Sequence, residues 1–96
     1  MQVVIRKYSG KAARELFDTL EKRAADLQPI MRSVKGFVSY TLARTDDGGI
    51  AVTVCQDKAG LDESSQIAKD WIAKNAANTG AASPEVSIGN VIVHLK

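Results

Sequence analysis

Residues 36–55 constrain this chain more than any other stretch. They read Gly-Phe-Val-Ser-Tyr-Thr-Leu-Ala-Arg-Thr, then Asp-Asp-Gly-Gly, then Ile-Ala-Val-Thr-Val-Cys. Both arms are rich in β-branched and aromatic residues, which fit a pleated, half-buried surface. The four residues between them are of the kinds that accept tight turns. The stretch predicts a β-hairpin, with a helical pattern on each side of it and a strand pattern at each chain end.

Val3-Val4-Ile5-Arg6-Lys7-Tyr8 is the first strand, bounded by Ser9-Gly10, where Ser9 is placed to cap a helix. From Lys11 the apolar residues Ala13, Leu16, Phe17, Leu20, Ala24 and Leu27 recur at helical spacing. Pro29 is expected to end or bend that helix near Gln28. After the hairpin, Leu61, Ile67, Ala68, Trp71, Ile72 and Ala76 mark one side of a second helix, with Asp57 or Asp62 as its N-cap. Residues 78–84 are small, polar and turn-forming, hence a loop. Residues 86–95 read as the last strand, and Gly89-Asn90 in its middle suggests a bulge or bend.

The order is therefore β-α-β-β-α-β over one domain, residues 1–96. Two right-handed crossovers sharing a central hairpin give an α+β, ferredoxin-like arrangement. Its sheet is four-stranded and antiparallel, with both helices on one face. The other face is expected to be polar in a monomer, but no strand supplies a full charged face. An exposed semi-apolar sheet marks an interface or a ligand site, and the economical solution is a second copy packed face to face. Which residues share a face depends on the hairpin loop, because a slip of one residue exchanges the faces. An odd loop gathers Val38, Tyr40, Leu42, Val52 and Val54 under the helices and leaves Ser39, Thr41, Ala43, Thr53 and Cys55 on the other face. An even loop mixes the two sets. The odd loop is expected, since it gives the helices a uniformly apolar partner.

Composition excludes several classes of function. Thirteen basic and 11 acidic residues give a net charge of +2, and no basic cluster appears, so neither nucleic acid nor a membrane surface is an expected partner. The N-terminus lacks the order of a signal peptide, and no apolar run is long enough to span a bilayer. One Cys excludes an intrachain disulfide and points to the cytoplasm. A single Cys and a single His build no structural zinc site, so no metal is expected.

With Val34-Lys35-Gly36-Phe37-Val38-Ser39-Tyr40 after the first helix, the chain resembles the dimeric α+β barrel superfamily, and within it the antibiotic-biosynthesis-monooxygenase-like branch. That branch often opens strand two with a Gly-aromatic/aliphatic-x-Ser-Tyr run. It also has a junction like Val54-Cys55-Gln56-Asp57-Lys58, and a Gly near Gly10. The resemblance covers nearly the whole chain and implies a homodimer in which two sheets form a barrel. The branch holds cofactor-free oxygenases of aromatic polyketides, haem-degrading oxygenases, quinol oxygenases and many members without an assigned activity. The haem degraders use an Asn on strand one, a Trp early in the second helix and a His about ten residues later. Here strand one has no Asn, Trp71 lies deep in the helix, the only His is His94 on the last strand, and Asn75 stands near the place of the expected His. That triad does not carry over, and no cofactor is expected.

The candidate ligand-binding residues are Ser39, Tyr40, Thr53, Cys55, Trp71 and His94; no catalytic residue is identified. Each has a plainer reading. Trp71 packs in a core, His94 is structural, Cys55 is a small buried hydrophobe, Tyr40 is a hydrogen-bonded core residue, and Ser39 and Thr53 are β-compatible small residues. Lys35-Gly36-Phe37 also resembles the opening of an RNA-binding motif on the same element order. The inner Gly-Phe pair is missing, however, and the run lies on strand two rather than strand three. Two functions remain in competition. One is a dimeric barrel that binds a small apolar or aromatic molecule without catalysis. The other is a cofactor-independent, monooxygenase-like enzyme acting on an aromatic or quinoid substrate.

Overall fold

The computed structural model describes residues 1–76, 80 and 83–96. The elements are β1 (Gln2–Ser9), α1 (Lys11–Lys22), α2 (Ala24–Arg32), β2 (Phe37–Thr45), β3 (Gly48–Cys55), α3 (Lys58–Asn75) and β4 (Glu85–Asn90). The strands form one antiparallel sheet in the order β2-β3-β1-β4, the expected ferredoxin-like topology. The expected loop over residues 78–84 falls largely outside the described residues. Among the described residues no helix is long and apolar enough to cross a membrane.

The hairpin differs from expectation in a way that matters for the site. Thr45 pairs with Gly48, so only Asp46 and Asp47 form the loop, and the loop is even. The glycines belong to the strand rather than the turn. The Phe17 ring lies over Gly49, where a Cβ would come within 2.3 Å of it. The turn is tied to the start of α1 by Gly10 N–H donating to the Asp47 carbonyl (2.7 Å) and by Arg14 donating to the Asp46 carbonyl (3.0 Å). The expected odd register is thus overturned, and the two sets of side chains mix.

The pairing Val4–Thr53–Tyr40 and Arg6–Ala51–Leu42 puts these residues on the helix face, with Tyr8, Gly49 and Cys55. A bulge between Phe37 and Ser39 turns Phe37 to that face as well, where it packs on the core. The open face carries Val3, Ile5 and Lys7 of β1, Ser39, Thr41 and Ala43 of β2, and Ile50, Val52 and Val54 of β3. It is more apolar than the sequence reading supposed.

The helical layer also departs from expectation. The first helix breaks at Arg23 (φ −107°, ψ 16°), and Pro29 lies inside α2 rather than ending a helix. Proline removes one helical hydrogen bond; α2 nevertheless continues to Arg32, and Ser33 N–H reaches the Pro29 carbonyl. At the break, Arg23 pairs with Asp26 (2.8 Å) and its guanidinium lies 5.9 Å from the Trp71 ring centre. The two short helices lay Leu16, Phe17 and Leu20, then Leu27 and Met31, on the sheet. Gly10, at φ +101°, takes the cap position expected of Ser9. Asp57 caps α3 by accepting from Gly60 N–H at 2.9 Å, while Asp62 pairs with Lys58. The last strand ends at Asn90, short of the expected residue 95, and Ile92 and Leu95 beyond it are exposed.

The core has two parts. One gathers Tyr8, Leu16, Phe17, Leu20, Leu27 and Trp71, with Tyr8 and Phe17 meeting edge to face at 5.7 Å. The other, smaller part is Val4, Val34, Cys55 and Leu61.

Candidate ligand site

The alternation of β1 sends Val4, Arg6 and Tyr8 toward the helices and Ile5 and Lys7 away from them. A Val and a Tyr suit that face. Arg6 does not, yet it is buried to 4% exposure. Its Nη1 donates to Ser65 Oγ on α3 (3.1 Å) and its Nη2 to Thr53 Oγ1 on β3 (3.3 Å). Its Nε is buried and has no hydrogen-bond partner among the described residues. Both acceptors are neutral hydroxyls, and among the described residues no carboxylate pairs with this guanidinium. A buried charge without a counter-charge costs several kcal/mol, of order 3–5 where one partner of a buried pair is missing.

Arg6 borders a small cavity between sheet and helices. The sheet contributes Arg6, Tyr8, Tyr40, Leu42 and Ala51; the helices contribute Leu20, Leu27, Ala68, Trp71 and Ile72. Its free volume is about 10 Å³, the room of one water molecule. Ala51 and Ala68 are what leave the space, because a larger residue at either position would fill it. Tyr40 and Leu42 separate the cavity from a surface groove of about 180 Å³ along β2, lined also by Ala24, Leu27 and Gln28.

Burial pushes the Tyr40 hydroxyl up to about 12, and Tyr8 also upward; the Arg6 charge opposes the rise in both without cancelling it. Both phenols are neutral at physiological pH, so neither supplies Arg6 with a negative partner. The cavity is thus apolar over most of its wall, with one cation and two neutral hydroxyls at one side.

The sequence-derived candidates do not stay together. Tyr40 and Trp71 line the cavity, and Trp71 is buried. Thr53 stands behind them as an Arg6 acceptor. Cys55 is fully buried in the smaller cluster, and burial, then Asp57 and Glu63, push its thiol up. Ser39 is on the open face, paired with Val54. His94 lies beyond β4, half-buried, and is not among the cavity's lining residues. Ser39, Thr53 and Cys55 therefore do not share the leftover face that the odd hairpin register implied. The residue that sequence reasoning missed is Arg6. The available signal was its parity: it stands midway between Val4 and Tyr8 on one face of a strand. Among the described residues no three His, Cys, Asp or Glu side chains converge to hold a metal ion.

The sequence matches no protein-family model and no curated protein. Solved structures do resemble it. The haem degrader MhuD of Mycobacterium tuberculosis, determined with two haems bound, superposes with a TM-score of 0.71 at 20% identity over 100% of both chains. The cofactor-independent oxygenase SnoaB of Streptomyces nogalater gives 0.61 at 19% identity, over 98% of this chain and 94% of that one. The monooxygenase ActVA-Orf6 of Streptomyces coelicolor, in complex with nanaomycin D, gives 0.61 at 16% identity over 99% and 88%. At these identities the likeness is one of fold. This chain has the ferredoxin-like α+β fold shared by antibiotic-biosynthesis-monooxygenase-like proteins.

Proposed function

We propose that the protein is a homodimeric α+β barrel that binds a small aromatic molecule between its sheet and helices, in the cavity beside Arg6. The observation that carries this reading is a cavity walled by an indole, two neutral phenols and aliphatic side chains, with a buried and incompletely bonded guanidinium at its edge. Mostly apolar walls with a few fixed polar groups are the usual make-up of a small-molecule site. An aromatic ring needs far more room than one water. It enters from the β2 groove by displacing Leu42 and Leu27, which border both spaces.

The homodimer rests on the open face, where Ile5 is exposed and Ile50 and Val52 are half-buried among small polar residues. A structural neighbour of 12% identity and TM-score 0.66, from an uncultured marine organism, is described as a dimeric ferredoxin-like protein. The lone buried thiol suits a reducing compartment, and the cytoplasm is the location we propose. A stable monomer in sedimentation at micromolar concentration would remove the dimer.

A second reading, cofactor-independent oxygenation of an aromatic or quinoid substrate, draws support from the fold shared with SnoaB and from the phenols beside Arg6. The two readings part in a single assay. Trp71, the only tryptophan, reports binding by fluorescence. Quinones and hydroxyarenes should quench it saturably in the wild type and not in Ala68→Val, whose two added methyl groups take up the cavity. Quenching that survives Ala68→Val in a folded protein places the site elsewhere. Uptake of dioxygen with a bound hydroxyarene supports the enzyme; binding without uptake leaves the binding protein.

A further inference from the structure

We infer that the molecule taken up beside Arg6 is bound as an anion, through an oxygen on its aromatic framework that carries the negative charge, and that Arg6 is the residue selecting it. The inference rests on the cavity reading above and adds the chemistry of the ligand to it.

Arg6 is 4% exposed, so water does not solvate it freely. Its partners Ser65 and Thr53 are neutral hydroxyls, the Tyr8 and Tyr40 phenols that also bond its side chain are neutral too, and Nε has no partner among the described residues. Among the described residues no carboxylate pairs with it. The two tyrosines beside it stay protonated, because burial raises both. A second subunit packed on the open face does not reach it, since Arg6 points the other way, into the layer between sheet and helices. What remains is a group that enters the cavity. An oxyanion there would take a charge-assisted bond from the guanidinium, and such bonds are about twice as strong as neutral ones. The neutral Tyr8 and Tyr40 hydroxyls are donors suited to the same oxygen. A neutral ligand of the same shape would leave the buried charge uncompensated, and that penalty is the basis of selection.

The test uses a hydroxynaphthoquinone, which ionises, and its methyl ether, which does not. Dissociation constants at neutral pH come from Trp71 fluorescence, and the ionisation of the bound quinone from its visible spectrum. Wild type should prefer the hydroxy compound by about tenfold or more, the scale of one charge-assisted bond. The bound compound should also ionise at a lower pH than the free one. Arg6→Met should erase the preference, and Arg6→Lys should retain part of it. The spectral shift is read in wild type alone, so it decides the question even if a variant folds poorly. Equal affinity for both compounds, with no shift in ionisation, overturns the anion inference and leaves the cavity reading intact. Failure of both compounds to bind removes the cavity reading and this inference together.

Discussion

Val4 and Arg6 stand two residues apart on the same face of β1, and both are almost completely buried, at 1% and 4% exposure. Val4 packs with the apolar Val34 and Leu61 and the thiol of Cys55, and its cross-strand neighbour Thr53 turns its hydroxyl to Arg6. Arg6, one pleat along, brings a charge into the same layer and borders a cavity. The helices are pressed on the sheet at both places. At the Val4 end the contact serves packing alone. At the Arg6 end the chain keeps a buried charge, an unpartnered donor and a void, each of which costs stability. These costs are concentrated at the Arg6 end, where the proposed ligand would offset them.

The largest effect should come from breaking the sealed end. Leu61→Ala deletes a side chain at 1% exposure and should lower unfolding free energy by about 2–5 kcal/mol. Urea unfolding measures it, and a loss below 1 kcal/mol would mean that this end is not tightly packed. Ligand affinity should be unchanged, because Leu61 is not among the residues lining the cavity.

The next effect belongs to the Arg6 end and to alkaline pH. Tyr40 is raised from 10.0 to about 12 in the folded chain. The unfolded chain therefore releases this proton first, and stability is full below pH 10 and falls as pH rises from 10 toward 12. The fall should be on the order of 1–3 kcal/mol. Tyr40→Phe should flatten that part of the profile, and an equally steep fall in the variant would assign it to other groups.

The smallest effect is an absence of reaction. Cys55 is fully buried and its thiol is pushed up, so an aromatic disulfide reagent at neutral pH should not label the native protein within the time that labels the unfolded chain. Rapid native labelling would show that the sealed end opens.

How far each end was legible in the sequence follows from the same physics. The strand and helix patterns predict the element order and sheet topology, because β-branched runs and helical spacing are local signals. The hairpin register was not legible. Gly48-Gly49 looks like turn material, but Gly49 is a strand residue whose missing side chain admits Phe17. That is a tertiary reason, and no local pattern carries it. The odd register keeps Tyr40 under the helices but puts Thr53 and Cys55 on the open face, whereas Thr53 lies beside Tyr40 in the sheet and bonds Arg6. The break at Arg23 was hidden likewise, since Pro29 is the louder signal and the helix tolerates it. Trp71 as a buried anchor was readable from its spacing with Ile67, Ala68 and Ile72. Arg6 was not, because a charged residue in a strand is ordinarily assigned to solvent.

The central claim is that Arg6 is kept for a ligand and not for the fold. Thermal unfolding of ligand-free Arg6→Met beside wild type tests it most directly. Methionine fills a similar volume without charge, and replacing buried charges by apolar residues is often neutral or stabilising by about 1–4 kcal/mol. The account predicts that the variant melts at the same temperature or several degrees higher. A variant that melts well below wild type would contradict it, and would make Arg6 a structural tie between Thr53 and Ser65.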